Sequence, residues 1–441
     1  MGSPLQHLFN VRREEIWPVL LAASFFFCVL TALMVLRPAR ESLGMQGGIE
    51  AVRWLFIGTA LITLSLNPLF GLLVSRLRRM QFISVTYLFF VCSLLTFYLI
   101  MLLSPQVIGV VTGQIFYVWF SVFNLFATML FWALMADRFS LDQGKRFFGL
   151  IAVGGTCGAI FGPWLASMLA SPLGTPALLL IASGFLLLAL AAAWGISRIQ
   201  PEQSAATVTA TVAADERIGG SAWEGFNAVF RSSYLLGITG YVLILAVMAT
   251  FIYFTKLQMV ADQNAGLDSR TTLFAQIDLI TQIATLVMQV VVAGHLMKRV
   301  GVPVTLALLP LTALLGFVGL ALVGSLAALI VFEASFRGVQ RAIMRPARET
   351  LFTVVRREDK YKAKAFIDTF IYRGGDVAGA QVEGLLGRLG MGLAAVASVA
   401  VPLALVWAVL ALWLGRTQRR IAAQTRADSI GNEEAGHIRT L

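Results

Sequence analysis

Twelve stretches of about 20 apolar residues recur along this 441-residue chain, and they restrict what it can fold into more than any other feature. They fall at about 16–36, 53–75, 81–103, 107–135, 147–170, 176–197, 234–256, 271–294, 302–323, 326–344, 364–388 and 391–415. Each can cross about 30 Å of hydrocarbon. In lipid, every backbone N–H and C=O must be satisfied internally, so the runs are expected to be helices. The chain is 58% hydrophobic and 13% charged, with a mean hydropathy of +0.81, which excludes a soluble domain of this length. The expected fold class is an all-α integral membrane protein, a bundle of twelve transmembrane helices arranged as six plus six.

The first run follows Arg12, Arg13, Glu14 and Glu15 and carries no small-residue cleavage site, so an uncleaved helix is expected rather than a signal peptide. Cys28, Cys92 and Cys157 all lie inside runs, without metal-ligand spacing, and are expected to be packing residues. The net charge of +11 could point to nucleic acid, but its distribution argues otherwise. With the N-terminus in the cytoplasm and the runs alternating, most Lys and Arg fall on the inner side. The charge then sets orientation, with both termini inside a bacterial inner membrane. The lipid bilayer is the expected partner, nucleic acid is not, and a monomer is expected.

Residues 198–232 form the one long polar break, with Pro201, Glu202, Ser204, Asp215, Glu216, Gly219 and Gly220. The expected division is a six-helix half at 1–197, a cytoplasmic linker at 198–232, a second half at 233–416 and a cytoplasmic tail at 417–441. Within the break, Trp223, Phe226 and Phe230 have helical spacing, compatible with a helix resting on the membrane surface or with a plain loop. The halves echo each other. Gly154-Gly155 matches Gly374-Gly375 at an offset of 220, and the basic turn from Gly71 to Arg79 matches Gly294 to Gly301 at 223. Both turns resemble the G-x-L-x-D-R-x-G loop of the major facilitator superfamily, with Ser75 and Lys298 in place of its acid. Gly154, Gly158 and Gly162 stand four apart, a spacing that lets helices approach closely.

The charged residues inside the runs carry the chemistry. Glu333, Arg337, Arg341, Arg345 and Arg348 recur at steps of four, four, four and three, which keeps them on one slowly drifting helical face. Arginine offers a planar fork suited to carboxylate or phosphate. The next run holds Asp368, Asp376 and Glu383 with Tyr372 and Arg373. Two readings stand: the two runs pair their charges, or the arginines line a path for an anionic small molecule. Asp278, with Gln282, Thr285 and Gln289 at helical spacing, could carry a proton or cation or pair with an arginine. In the fourth run, Tyr117, Asn124 and Thr128 could meet a base or sugar, or pack between helices. No G-x-x-x-x-G-K-[ST] match, His-Cys cluster or nucleophile elbow is present, so neither an enzyme nor a bound cofactor is expected.

One heptapeptide occurs almost twice: Arg37 to Leu43 reads RPARESL and Arg345 to Leu351 reads RPARETL. The copies are 308 residues apart, unlike the echoes of the halves, so duplication does not relate them. Counting along alternating helices places Arg37 and Arg40 near an outer mouth and Arg345 and Arg348 near an inner one, with Arg337, Arg341 and Arg373 nearer the midplane.

Three segments, Leu36 to Leu43, Phe131 to Pro163 and Arg337 to Ala380, resemble the bacterial and plastid ATP/ADP translocase family of nucleotide exchange carriers. The resemblance implies a major facilitator-type bundle that exchanges ATP for ADP without hydrolysis. It implies that Arg40 fills the basic position at the end of the first helix and Arg373 the one before small residues in the eleventh. Lysine is usual at both. Gln143 stands where the family has an acid. The substrate residues expected are Arg37, Arg40, Arg337, Arg341, Arg345, Arg373, Tyr117 and Asn124, with Asp278, Asp368, Asp376 and Glu333 coupling or pairing charge. Two alternatives stay open: a proton-coupled facilitator for a drug, peptide or lipid headgroup, and a membrane interaction protein that does not transport.

Overall fold

The computed structural model describes residues 13–76, 79–103, 107–199, 222–389 and 392–439. Most of the polar break (200–221) lies outside the described residues, as do the side chains of Ser75, Lys145, Trp223 and Lys298 and those beyond Gln424. Among the described residues every regular element is a helix. In chain order they are α1 (Ile16–Gly44), α2 (Ile49–Arg76), α3 (Arg79–Leu103), α4 (Val107–Arg138), α5 (Leu141–Leu173) and α6 (Ala177–Arg198). Next come a short helix, α7 (Ala222–Arg231), then α8 (Ser233–Ala261), α9 (Leu267–Met288) and α10 (Gly294–Val323). The remainder are α11 (Leu326–Gly338), α12 (Arg345–Leu351), α13 (Arg357–Phe366), α14 (Tyr372–Arg388) and α15 (Leu393–Arg439).

Ten of the described helices are long and apolar enough to cross a membrane. The tenth and eleventh runs are not among them, for a physical reason. Each carries several charges, and each is interrupted by a π-helical turn, Val339–Met344 between α11 and α12 and Ile367–Ile371 between α13 and α14. A third such turn, Gln289–Ala293, joins α9 to α10. A π turn adds a residue to the ladder and re-aims the side chains beyond it, and such turns are common at functional sites.

By contact the chain divides into two units, Met1–Arg217 with Val260–Leu279, and Ile218–Met259 with Ile280–Leu441. In the first, α1 lies along α5, α6 and α4. A Cβ at Gly154 or Gly158 would collide with the α1 carbonyls of Ala23 and Phe27, and one at Gly162 would come 2.7 Å from Met34. Phe26 stacks on Phe131 at 4.1 Å beside a core that includes Phe25 and Phe123. In the second unit the same device recurs. A Cβ at Gly375 would come 2.6 Å from Ala246 and one at Gly379 3.0 Å from Thr250, so α14 lies backbone-close to α8. Of the echoed pair Gly374-Gly375 only Gly375 makes such a contact, since a Cβ at Gly374 would meet nothing within 4 Å.

Cys28 is buried, but Cys92 and Cys157 are exposed. Those two do not pack internally as expected. A thiol is apolar enough to sit on the outer face of a membrane helix, so its presence in a run does not tell core from lipid.

Candidate functional site

The first unit holds a charged cluster at the end of α1. Pro38 sits inside α1 without ending it, and Arg37 and Arg40 stand about one turn apart. The Arg40 guanidinium lies 3.7 Å over the Tyr117 ring and 5.6 Å from that of Phe120. Its Nη1 donates to Glu41 Oε1 at 3.0 Å and its Nε to the Tyr117 carbonyl at 3.4 Å. Tyr117 is fully buried, and its ring fills the space that a Cβ at Gly44 would enter, 2.5 Å away. The ring is thus a shelf for a cation. Arg37 Nε is 3.6 Å from Asp278 Oδ2, the arginine 22% exposed and the acid 6%. Asp278 therefore pairs with an arginine of the first run rather than one of the tenth. Asn124 is exposed on α4, and Thr128 Oγ1 donates to its carbonyl.

The same unit explains Gln143. Ser140 caps α5, its Oγ accepting from Gln143 N while Gln143 Oε1 accepts from Ser140 N. Glutamine closes such a capping box as well as glutamate does. Besides Asp142 in the first turn of α5, Glu15 brings a carboxylate here, accepting from Arg146 at 2.9 Å and from Gln143 Nε2 at 3.4 Å.

The second unit holds the larger cluster. Lys256 Nζ lies 2.9 Å from Glu333 Oε1, with the two side chains 3% and 2% exposed. Arg337 Nε is 4.0 Å from the same oxygen, and Arg337 Nη1 donates to Gln340 Oε1 at 3.2 Å. Arg341 donates to Gln282 Oε1 of α9. Gln340 and Arg341 both stand on the π turn Val339–Met344, which packs against the π turn Gln289–Ala293. The turn is seated closely, since a Cβ at Gly338 would come 2.7 Å from Met288 Sδ. Arg373 Nη1 reaches Asp376 Oδ2 at 3.3 Å, and Thr250 donates to Asp376 Oδ1 at 3.5 Å.

The arginine stripe thus fans out. Arg348 meets Asp368 at 3.0 Å and Glu349 at 3.6 Å, and Lys364 meets Glu349 at 2.6 Å. Pairing between the arginine stripe and the eleventh run is therefore real at Arg348, just past the tenth run. Arg345 is exposed and makes no ion pair with a described residue. Glu349 lies beyond the tenth run, and burial alone would raise its pKa. The hydrogen bond and charge of Lys364, with the charge of Arg348, outweigh that and hold it below the usual glutamate range.

Sequence reasoning missed Lys256, Glu41 and Glu15. Lys256 was legible only as the end of an apolar run, whereas α8 continues to Ala261 and encloses it. The π turns carry no compositional mark.

A family model described as Major Facilitator Superfamily matches residues 126–348. No curated protein matches the chain by sequence. Among solved structures, the nucleoside transporter NupG superposes with a TM-score of 0.61 at 12% identity, covering 92% of this chain and 99% of that one. A bacterial homologue of the iron transporter ferroportin, in an inward-facing state, gives 0.64 at 12% identity, covering 94% and 100%. A POT family transporter in complex with a thioalcohol-conjugated peptide gives 0.61 at 12% identity, covering 91% and 96%. At such identities the likeness is one of fold.

Proposed function

The chain belongs to the Major Facilitator Superfamily, and from that premise we propose that it is an antiporter exchanging nucleotides of the ATP/ADP kind, or another phosphorylated anion, by alternating access. One observation carries the reading. In the second unit two cations, Lys256 and Arg337, approach the one carboxylate of Glu333, Arg373 meets Asp376, and Arg341 donates to the neutral amide of Gln282. A surplus of positive charge inside a membrane protein is costly unless an anion or water offsets it. Arginine forks suit phosphate oxygens in bidentate fashion.

The nucleotide reading is supported by the three segments that resemble ATP/ADP translocases, in which Arg40 and Arg373 fill the basic positions. Arg40, Arg341 and Arg373 would contact phosphate, while Arg37, Arg337 and Arg345 would steer it. Tyr117 and Asn124 would stand near base or sugar. NupG is described as a nucleoside transporter, a cargo that shares the sugar and base. The membrane would be a bacterial inner membrane, with both termini cytoplasmic and the carrier a monomer. ADP-loaded proteoliposomes are expected to take up labelled ATP, and empty ones are not. Equal uptake with and without internal ADP would reject exchange.

A buried acid favours a second reading. Asp278 is 6% exposed and lies 3.6 Å from Arg37; in a proton-coupled facilitator of another solute, Asp278, Asp368 or Asp376 would be the coupling acid. Uptake driven by a pH gradient alone, and lost in Asp278→Asn, would select that reading.

A further inference from the structure

Lys256 lies near the end of an apolar helix, 3% exposed, and its ammonium contacts a carboxylate that a second cation also approaches. Removing two charges from water costs several kcal/mol per ion unless their geometry is good, and exchange of such a pair for apolar residues is often neutral or better. Stability alone therefore gives little reason to keep the pair. The second cation supplies one. Arg337 is four residues after Glu333 on the same helix, the spacing at which an acid and a base meet directly. It nonetheless stands off at 4.0 Å, while Lys256 occupies Oε1 at 2.9 Å. Among the described residues its guanidinium makes one hydrogen bond, to Gln340 on the π turn, and its buried Nε makes none. Arg337 is 16% exposed, against 3% for Lys256.

We propose that Lys256 is a positioning residue that occupies Glu333 and so keeps Arg337 available to an anionic substrate group. Lys256 itself does not touch substrate. It answers the carboxylate that would otherwise close on Arg337 and cancel its charge. Gln340 takes one N–H of the guanidinium at Nη1, which leaves the remaining terminal N–H groups for phosphate-like oxygens. This inference rests on the anion-carrier reading, and its first test is independent of any cargo.

The test uses the full-length protein as wild type, Lys256→Met, Glu333→Gln and the double variant. In ligand-free detergent solution, the rate at which phenylglyoxal modifies Arg337 is followed by mass spectrometry. Lys256→Met is expected to slow it at least fivefold, because Glu333 then covers the guanidinium. The double variant should return it to within twofold of wild type, since the carboxylate of Glu333 is then gone. An unchanged rate in Lys256→Met, or a double variant as slow as the single one, overturns the proposal. In ADP-loaded proteoliposomes the same order should appear in KM for external ADP. Lys256→Met should raise it about tenfold with kcat changed less, and the double variant should recover. Wild type that exchanges no ADP would reject the nucleotide reading, whereas the labelling result would still decide the role of Lys256.

Discussion

At the scale of single residues, the shelf under Arg40 is the most constrained element. A guanidinium over a tyrosine ring contributes about 0.5–2 kcal/mol, more when water is excluded. The ring holds its place because residue 44 has no side chain, so Gly44→Ala is expected to push Tyr117 and with it Arg40. Overpacking of this kind costs about 1–3 kcal/mol. A fall in Tm together with lost uptake would fit, and unchanged values for both would show that the shelf is not fixed by Gly44. Glu349 gives a pH test. Its pKa is lower folded than unfolded, so its pair with Lys364 stabilises fully above the unfolded value of about 4.3 and fades as pH falls through the folded value. The Tm gap between wild type and Lys364→Gln should be constant near neutrality and shrink below about pH 4. A gap that persists to pH 3 would assign it to packing. Arg373 and the acids were readable in the sequence because charge inside an apolar run is rare, and Arg40 because its heptapeptide occurs almost twice. Lys256 was not, since a lysine at the edge of a run looks like a boundary.

At the scale of helices, the glycines of α5 and α14 decide the contacts. Gly158 meets the α1 backbone, whereas a Cβ at Gly149, more than two turns earlier, would meet nothing within 4 Å. Gly158→Val is expected to lower stability by about 1–3 kcal/mol and Gly149→Ala to change it little. Thermal unfolding of the two in one detergent checks this, and equal effects would refute close contact between α1 and α5. The four-residue spacing of these glycines announced the contact in α5, whereas the contact of α14 falls on Gly375 and Gly379 and was not announced. The stripe on the tenth run was misleading in one respect. Steps of four imply a single face only if the helix is α throughout. The π turn at Val339–Met344 re-aims the side chains beyond it, so Arg337 stays with Glu333, Arg341 turns to Gln282 and Arg348 to Asp368. A π turn depends on how helices pack around it, and apolar periodicity does not encode that.

At the scale of the whole molecule, an all-helical membrane bundle could be read from hydrophobic length alone, because lipid leaves the backbone so few options. The cargo could not, since a fold of this kind serves many solutes and only the charged side chains distinguish them. The central claim is that those arginines hold a nucleotide. Titration calorimetry of ATP into the purified protein tests it most directly, with Arg341→Ala and Arg40→Ala as partners. Saturable binding to wild type, weakened at least tenfold in each variant, is the expected result. Absence of binding, or equal binding by all three proteins, would contradict it.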